Sequence, residues 1–221
     1  VLGAGDDAGL AQAASEFAKL VAAQAKGASL AMPRVFSQFY SAEFLKRHPY
    51  ADDAENPKRL AQGLATGQRT LDRGKHCSIA ADLASVAQRY QFTGHAVEAK
   101  LYVALWDLYA KSAVSDPRKF GGAWGFDSDF RSKEVVPGWD LIEEDPSLTD
   151  EERLRTVKHL GRWLAEAVVS SCAGAANSSH VPHNHQTFPA LGTLYAGLYF
   201  SQGYELSEGP FWLGVADAIF Q

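Results

Sequence analysis

Residues 78–109 read Ser78-Ile-Ala-Ala-Asp-Leu-Ala-Ser-Val-Ala-Gln-Arg-Tyr-Gln-Phe-Thr-Gly-His-Ala-Val-Glu-Ala-Lys-Leu-Tyr-Val-Ala-Leu-Trp-Asp-Leu-Tyr109. Ile79, Leu83, Val86 and Tyr90 recur at steps of three and four, the period of one helix face. Phe92-Thr93-Gly94-His95 interrupts the pattern, and Val97, Leu101, Leu105, Leu108 and Tyr109 resume it. Two apolar stripes joined by a short break are the signature of a helical hairpin, here extending over 76–113. No stretch alternates convincingly with period two, so the expected fold class is all-α.

The flanking sequence repeats this pattern. Upstream, residues 8–26 are alanine-rich with Leu10, Ala14, Phe17 and Val21 on one face, and Gly27 stops them. Met32-Pro33 opens a loop into a short helix, Phe36–Lys46, that ends before His48-Pro49. Pro57 suits the first turn of a helix reaching about Thr70, capped by Asn56. Downstream, a long loop from Ser115 to about Lys133 precedes a helix over Val135–Ile142. Thr149 and Glu152 form a capping-box pair for a helix that reaches Cys172 and stops at Ala173-Gly174. Helices over Asn184–Ser201 and Glu208–Phe220 complete the chain. Antiparallel pairs with short connections, and no fixed repeat period, point to an α/α-hairpin array, toroid or solenoid, in one domain spanning 1–221.

Composition narrows the partners. The 221 residues are 46% hydrophobic and 21% charged, enough for one substantial core. A formal net charge of −5 without a basic block argues against nucleic acid, although a local basic cleft for a polyanion stays open. No run approaches the roughly 18 apolar residues of a membrane span. Two cysteines, Cys77 and Cys172, neither demand nor exclude a disulfide.

The chemistry-bearing stretch is His180-Val-Pro-His-Asn-His-Gln-Thr-Phe188, where a polar loop becomes a helix. Asn184 offers an amide donor, and His185 a base titrating near neutrality. Together they suit proton abstraction beside a carboxylate. Two plainer readings stand beside it. Asn184 can simply cap the helix, and the His-x2-His-x-His spacing can offer imidazoles to a metal, though it matches no standard zinc pattern. No metal and no cofactor is expected.

Three segments together resemble the helical domain of heparinase II/III-type and alginate-lyase-type polysaccharide lyases. They are Lys100-Leu-Tyr-Val-Ala-Leu-Trp-Asp-Leu-Tyr with the Gly/Trp-rich loop, Val136-Pro-Gly-Trp-Asp-Leu-Ile with Leu148-Thr-Asp-Glu-Glu-Arg, and Asn184-His-Gln-Thr-Phe-Pro-Ala-Leu-Gly-Thr-Leu-Tyr-Ala-Gly-Leu. The likeness covers about residues 76–221, and its third segment is the most specific. It implies an incomplete α/α toroid and a secreted or periplasmic enzyme that cleaves an acidic polysaccharide by β-elimination. It also implies a catalytic tyrosine on a later helix, beyond residue 221, so that the chain is expected to be the N-terminal part of a longer lyase. Tyr195, Tyr199 and Tyr204 do not match that position, and the first two read as core packing.

In such a reaction Asn184 would neutralise the uronate carboxylate, and His185 would act as base or, protonated, as a second neutralising group. His183 and Gln186 flank the pair as candidate substrate contacts. Trp124 and Phe126 in the loop, and Trp139 on the helix after it, offer stacking faces, although Trp139 and Trp163 also read as core. Arg118, Lys119 and Arg131 can meet carboxylates or be a solvated face. A glycoside hydrolase would instead need two facing carboxylates, from Asp127, Asp129, Asp140 and Glu143. A carbohydrate-binding helical scaffold would need neither. The uronate epimer is open.

Overall fold

The computed structural model describes residues 7–26, 29–30, 46–47, 56–75, 78–115, 129–176 and 184–221. Its helices are α1 (Asp7–Gln24), α2 (Arg59–Asp72), α3 (Ser78–Thr93), α4 (Ala96–Ser115), α5 (Ser132–Ile142), α6 (Asp150–Trp163), α7 (Ser170–Ala176), α8 (Asn184–Gly203) and α9 (Glu208–Phe220). A 3-10 turn, Asp129–Arg131, leads into α5, and a wide π-helical segment, Leu164–Val169, joins α6 to α7. The described residues outside helices include one two-residue antiparallel ladder, Ala25–Lys26 with Ser29–Leu30. The fold class is all-α, as the periodicity implies.

Local sequence explains most boundaries. Gly94, at φ 63, supplies the left-handed turn that lets α4 fold back beside α3. The capping box at α6 is complete. Thr149 Oγ1 accepts from the Glu152 N–H at 3.2 Å, and Glu152 Oε2 accepts from the Thr149 N–H at 2.8 Å. The helix after Pro57 is regular from Arg59, and Asn56 Oδ1 accepts from the Lys58 N–H at 2.9 Å just ahead of it, the bond of an N-terminal cap. One expectation needs correction. Downstream, the helical run does not stop at Ala173-Gly174 but continues to Ala176. A glycine inside a helix costs only about 1 kcal/mol, which tertiary packing can override. The expected helix at Phe36–Lys46 lies almost wholly outside the described residues.

Helices α2 and α4 pack together, α3 packs on α4 and α5, and α5 packs on α8. α8 in turn pairs with α9. That last pair is antiparallel: Gly197 meets Leu213 while Gly209 meets Ser201. The main core is strongly aromatic, with Trp106, Trp139, Trp163, Tyr102, Tyr109 and Phe200 all fully buried. Tyr102 stacks on Trp139 at 5.9 Å, and Trp106 packs on Trp163 at 5.7 Å. Each such ring removes roughly 150–250 Å² from water, an upper figure of about 4–6 kcal/mol. A second, smaller cluster of Cys172, Ala190, Val215 and Ile219 ties α7 to α8 and α9. The outer side of α4 is joined to α6 by ion pairs, Lys100 to Glu152 at 2.8 Å and Arg155 to Asp107 at 2.7 Å.

Candidate functional site at the start of helix α8

Asn184 is the first residue of the twenty-residue α8 and is exposed. Among the described residues nothing is bonded to its carboxamide; its backbone carbonyl accepts from Thr187 Oγ1 at 3.4 Å. Pro189, the sixth helical residue, has no N–H to offer the His185 carbonyl four residues back. The first turn of α8 therefore has exposed polar groups and a broken hydrogen-bond ladder on a helix whose far half is held by the core. The positive end of the helix dipole lies here too.

Gly192, two turns in, is where α5 crosses α8. A Cβ at Gly192 would lie 1.8 Å from Ser132 Oγ and 3.0 Å from the Lys133 nitrogen, so only glycine permits the approach. The crossing brings the start of α5 beside Phe188. Phe130 meets the Phe188 ring edge-to-face at 4.7 Å, and Lys133 Nζ sits 5.0 Å from the Phe188 centroid. Glu134 Oε1 accepts from Lys133 Nζ and lies 3.5 Å from Arg131 Nη1. Two cations thus share one carboxylate, one turn of α8 from Asn184. Beneath them, Ser132 Oγ donates to the Asp129 carbonyl at 2.5 Å, and Thr193 Oγ1 donates to Cys172 Sγ at 3.5 Å. Burial pushes the Cys172 thiol up to about 11, so this free cysteine is no nucleophile near neutral pH.

The expected site residues divide accordingly. Asn184, Gln186 and Arg131 belong to described elements that meet at this end of α8. The Gln186 Oε1 atom is buried, with no partner among the described residues. Of His185 the structure describes only the helical backbone. His183, Trp124 and Arg118, with Phe126 and Lys119, lie outside the described residues. Trp139 is a correction. It is fully buried, stacked on Tyr102, and its Nε1 donates to Tyr199 Oη at 2.8 Å, so its ring faces core and not a sugar. Lys133, Phe130 and Phe188 were not anticipated. Lys133 and Phe188 are 55 positions apart in sequence, and nothing local signals their contact.

Of the two α8 tyrosines read as core packing, one departs from expectation. Tyr195 is 37% exposed, on the opposite side of the helix from buried Thr193, Ala196 and Phe200. Tyr199 packs partly against the core, but its hydroxyl donates to Glu143 Oε2 at 2.6 Å, and Tyr204 donates to Glu143 Oε1. Tyr199 stands fifteen residues beyond Asn184, about 22 Å along the helix at 1.5 Å per residue, and so belongs to no common site with it. Of the carboxylates open to a hydrolase, Glu143 is thus engaged by two phenols and Asp129 is buried. Asp127 lies outside the described residues.

Among the described residues no group of three or more His, Cys, Asp or Glu side chains is placed to hold a metal ion. No described helix is long and apolar enough to cross a membrane. No protein-family model, curated protein or solved structure matches the chain.

Proposed function

We propose that the start of α8 is a site for an acidic polysaccharide, cleaved by β-elimination next to a uronate carboxylate. The observation that carries this reading is the exposed Asn184 carboxamide at the positive end of a long helix, one turn from two cations that share one carboxylate. Removing the proton beside a carboxylate places developing negative charge on the carboxyl oxygens. A donor aimed at those oxygens stabilises that charge more than it stabilises the ground state. Asn184 donates to the carboxyl oxygen, and His185 takes the proton as neutral imidazole or, protonated, adds a second neutralising group. The leaving glycosidic oxygen needs a proton donor, which the resemblance to heparinase II/III-type and alginate-lyase-type enzymes assigns to a tyrosine on a later helix, a position that Tyr195, Tyr199 and Tyr204 do not match. On this reading the helical hairpins are part of an incomplete α/α toroid, in a secreted or periplasmic enzyme.

A carbohydrate-binding role without turnover is the second reading. It is favoured by one observation: Tyr195 and Tyr199, the tyrosines of α8, lie about 16 and 22 Å along the helix from Asn184. An ultraviolet screen of the full-length protein against alginate, heparan sulfate, hyaluronan and polyglucuronate separates the readings. Elimination leaves a conjugated double bond that absorbs, and hydrolysis leaves none. Absorbance growth that vanishes in Asn184→Ala supports the lyase. Retained uronate binding with no absorbance under any condition rejects it in favour of the binding role, and reducing ends without absorbance reject it in favour of hydrolysis.

A further inference from the structure

Glu134 at the start of α5 is unevenly satisfied. Its Oε1 is crowded by two cations, Lys133 Nζ and Arg131 Nη1 at 3.5 Å, while its Oε2 is buried without a donor among the described residues. A carboxylate with one buried, idle oxygen forgoes the hydrogen bonds that would offset its desolvation. Lys133 is better seated. It is half-buried, with its ammonium over the Phe188 ring, and Phe130 packs edge-on against that ring. The cation is thus held from one side by a fixed aromatic face, while its anionic partner on the other side is poorly held. Phe188 follows Asn184 by four residues, so the two share one face of α8.

We propose that Lys133 is the receptor for a substrate carboxylate and that Glu134 is its resident stand-in, displaced when an acidic sugar binds. This rests on the reading of the α8 start as an acidic-polysaccharide site. An incoming uronate carboxylate exchanges one Lys133 ion pair for another, so the ammonium is never left bare in its half-buried seat. Glu134, released, turns its idle oxygen to water. Arg131, more exposed, is the second cation of the pair and keeps Glu134 company during the exchange. The arrangement discriminates by charge. A neutral sugar has nothing to offer Lys133 in return for Glu134, whereas a uronate does. Glu134 therefore weakens binding of the right ligand somewhat and blocks the ammonium from casual anions.

The test measures the affinity of the 221-residue chain for short oligomers of polymannuronate and polyglucuronate, with neutral mannan oligomers as control. The expected result is tighter uronate binding by Glu134→Gln, by about three- to tenfold, and weaker binding by Lys133→Met, by about tenfold. Lys133→Arg should stay near the parent, and circular dichroism should show every variant folded. A merely structural ion pair predicts the opposite sign for Glu134→Gln, or no change. Unchanged affinity in both Glu134→Gln and Lys133→Met, with Asn184→Ala still weakening binding, overturns this proposal and leaves the site intact. Failure of the parent to prefer uronates over neutral mannans overturns the site itself, and this proposal with it.

Discussion

The Tyr199 hydroxyl donates to Glu143 Oε2 at 2.6 Å while accepting from Trp139 Nε1 at 2.8 Å. Tyr204 donates to the other oxygen of the same carboxylate. One side chain at the end of α5 thereby fixes the end of α8 and the connection to α9. Tyr199→Phe removes the middle of this relay and leaves the Trp139 indole N–H, on a fully buried side chain, without its acceptor. The expected cost is about 1–3 kcal/mol, read as a lower urea midpoint at unchanged slope. A midpoint equal to the parent's would show that the relay contributes nothing.

The same relay sets an alkaline limit. Burial, then the bond to Glu143, pushes Tyr204 up to about 12 from an ordinary value near 10, and burial pushes Tyr199 further still. A raised folded pKa means that the stabilisation is complete below the unfolded value and is lost as pH rises through the folded one. Stability should therefore fall between about pH 10 and 12. Phenolate absorbance should show these two rings titrating late, and Glu143→Gln should bring Tyr204 forward. Titration of all phenols together near pH 10 would contradict the placement of the two hydroxyls.

Gly192→Ala drives a methyl into Ser132 Oγ at 1.8 Å with the Lys133 backbone 3.0 Å away, so neither helix can yield by rotating one side chain. A loss of roughly 1–3 kcal/mol is expected. Gly214→Ala in α9 meets nothing within 4 Å and should gain up to about 1 kcal/mol from helix propensity. Thermal midpoints of the pair should move in opposite directions, and a matched shift would refute the close approach of α5 to α8.

Glu205, between α8 and α9, has φ 52, a left-handed conformation that costs a residue bearing a Cβ roughly 1–2 kcal/mol. Glu205→Gly should raise the unfolding free energy, by about 0.5–1 kcal/mol once the looser unfolded chain is counted. A lowered urea midpoint would mean that the Glu205 side chain has a role the backbone argument omits.

In the full-length protein Asn184→Ala should reduce elimination by about 10²–10³ in kcat with little change in the urea midpoint, because the side chain is exposed. A large stability loss with proportionate activity loss would return Asn184 to the role of a helix cap.

Features within a few residues were legible in the sequence. The stripe from Ile79 to Tyr90, the Gly94 turn and the Thr149–Glu152 box depend on neighbours three or four positions away, and the structure bears them out. What sequence could not show was pairing across helices. Trp139 reads equally as a sugar platform or as core until Tyr102 and Tyr199 are found on it. Lys133 gains meaning only from Phe188, and Tyr199 reads as packing until Glu143 arrives from another helix. Asn184 was visible because a change from polar loop to apolar helix is itself a local signal.

The wide turn at Leu164–Val169 acts as a phase corrector. Counted as eight residues of ordinary helix, Cys172 would point about 80° away from Leu164 around the rod. The π segment absorbs about one residue, and the offset falls to roughly 20°. Leu164 in the main core and Cys172 against Thr193 can then look nearly the same way. One rod keeps a single azimuth past two cores, where a regular helix would have drifted off after the first.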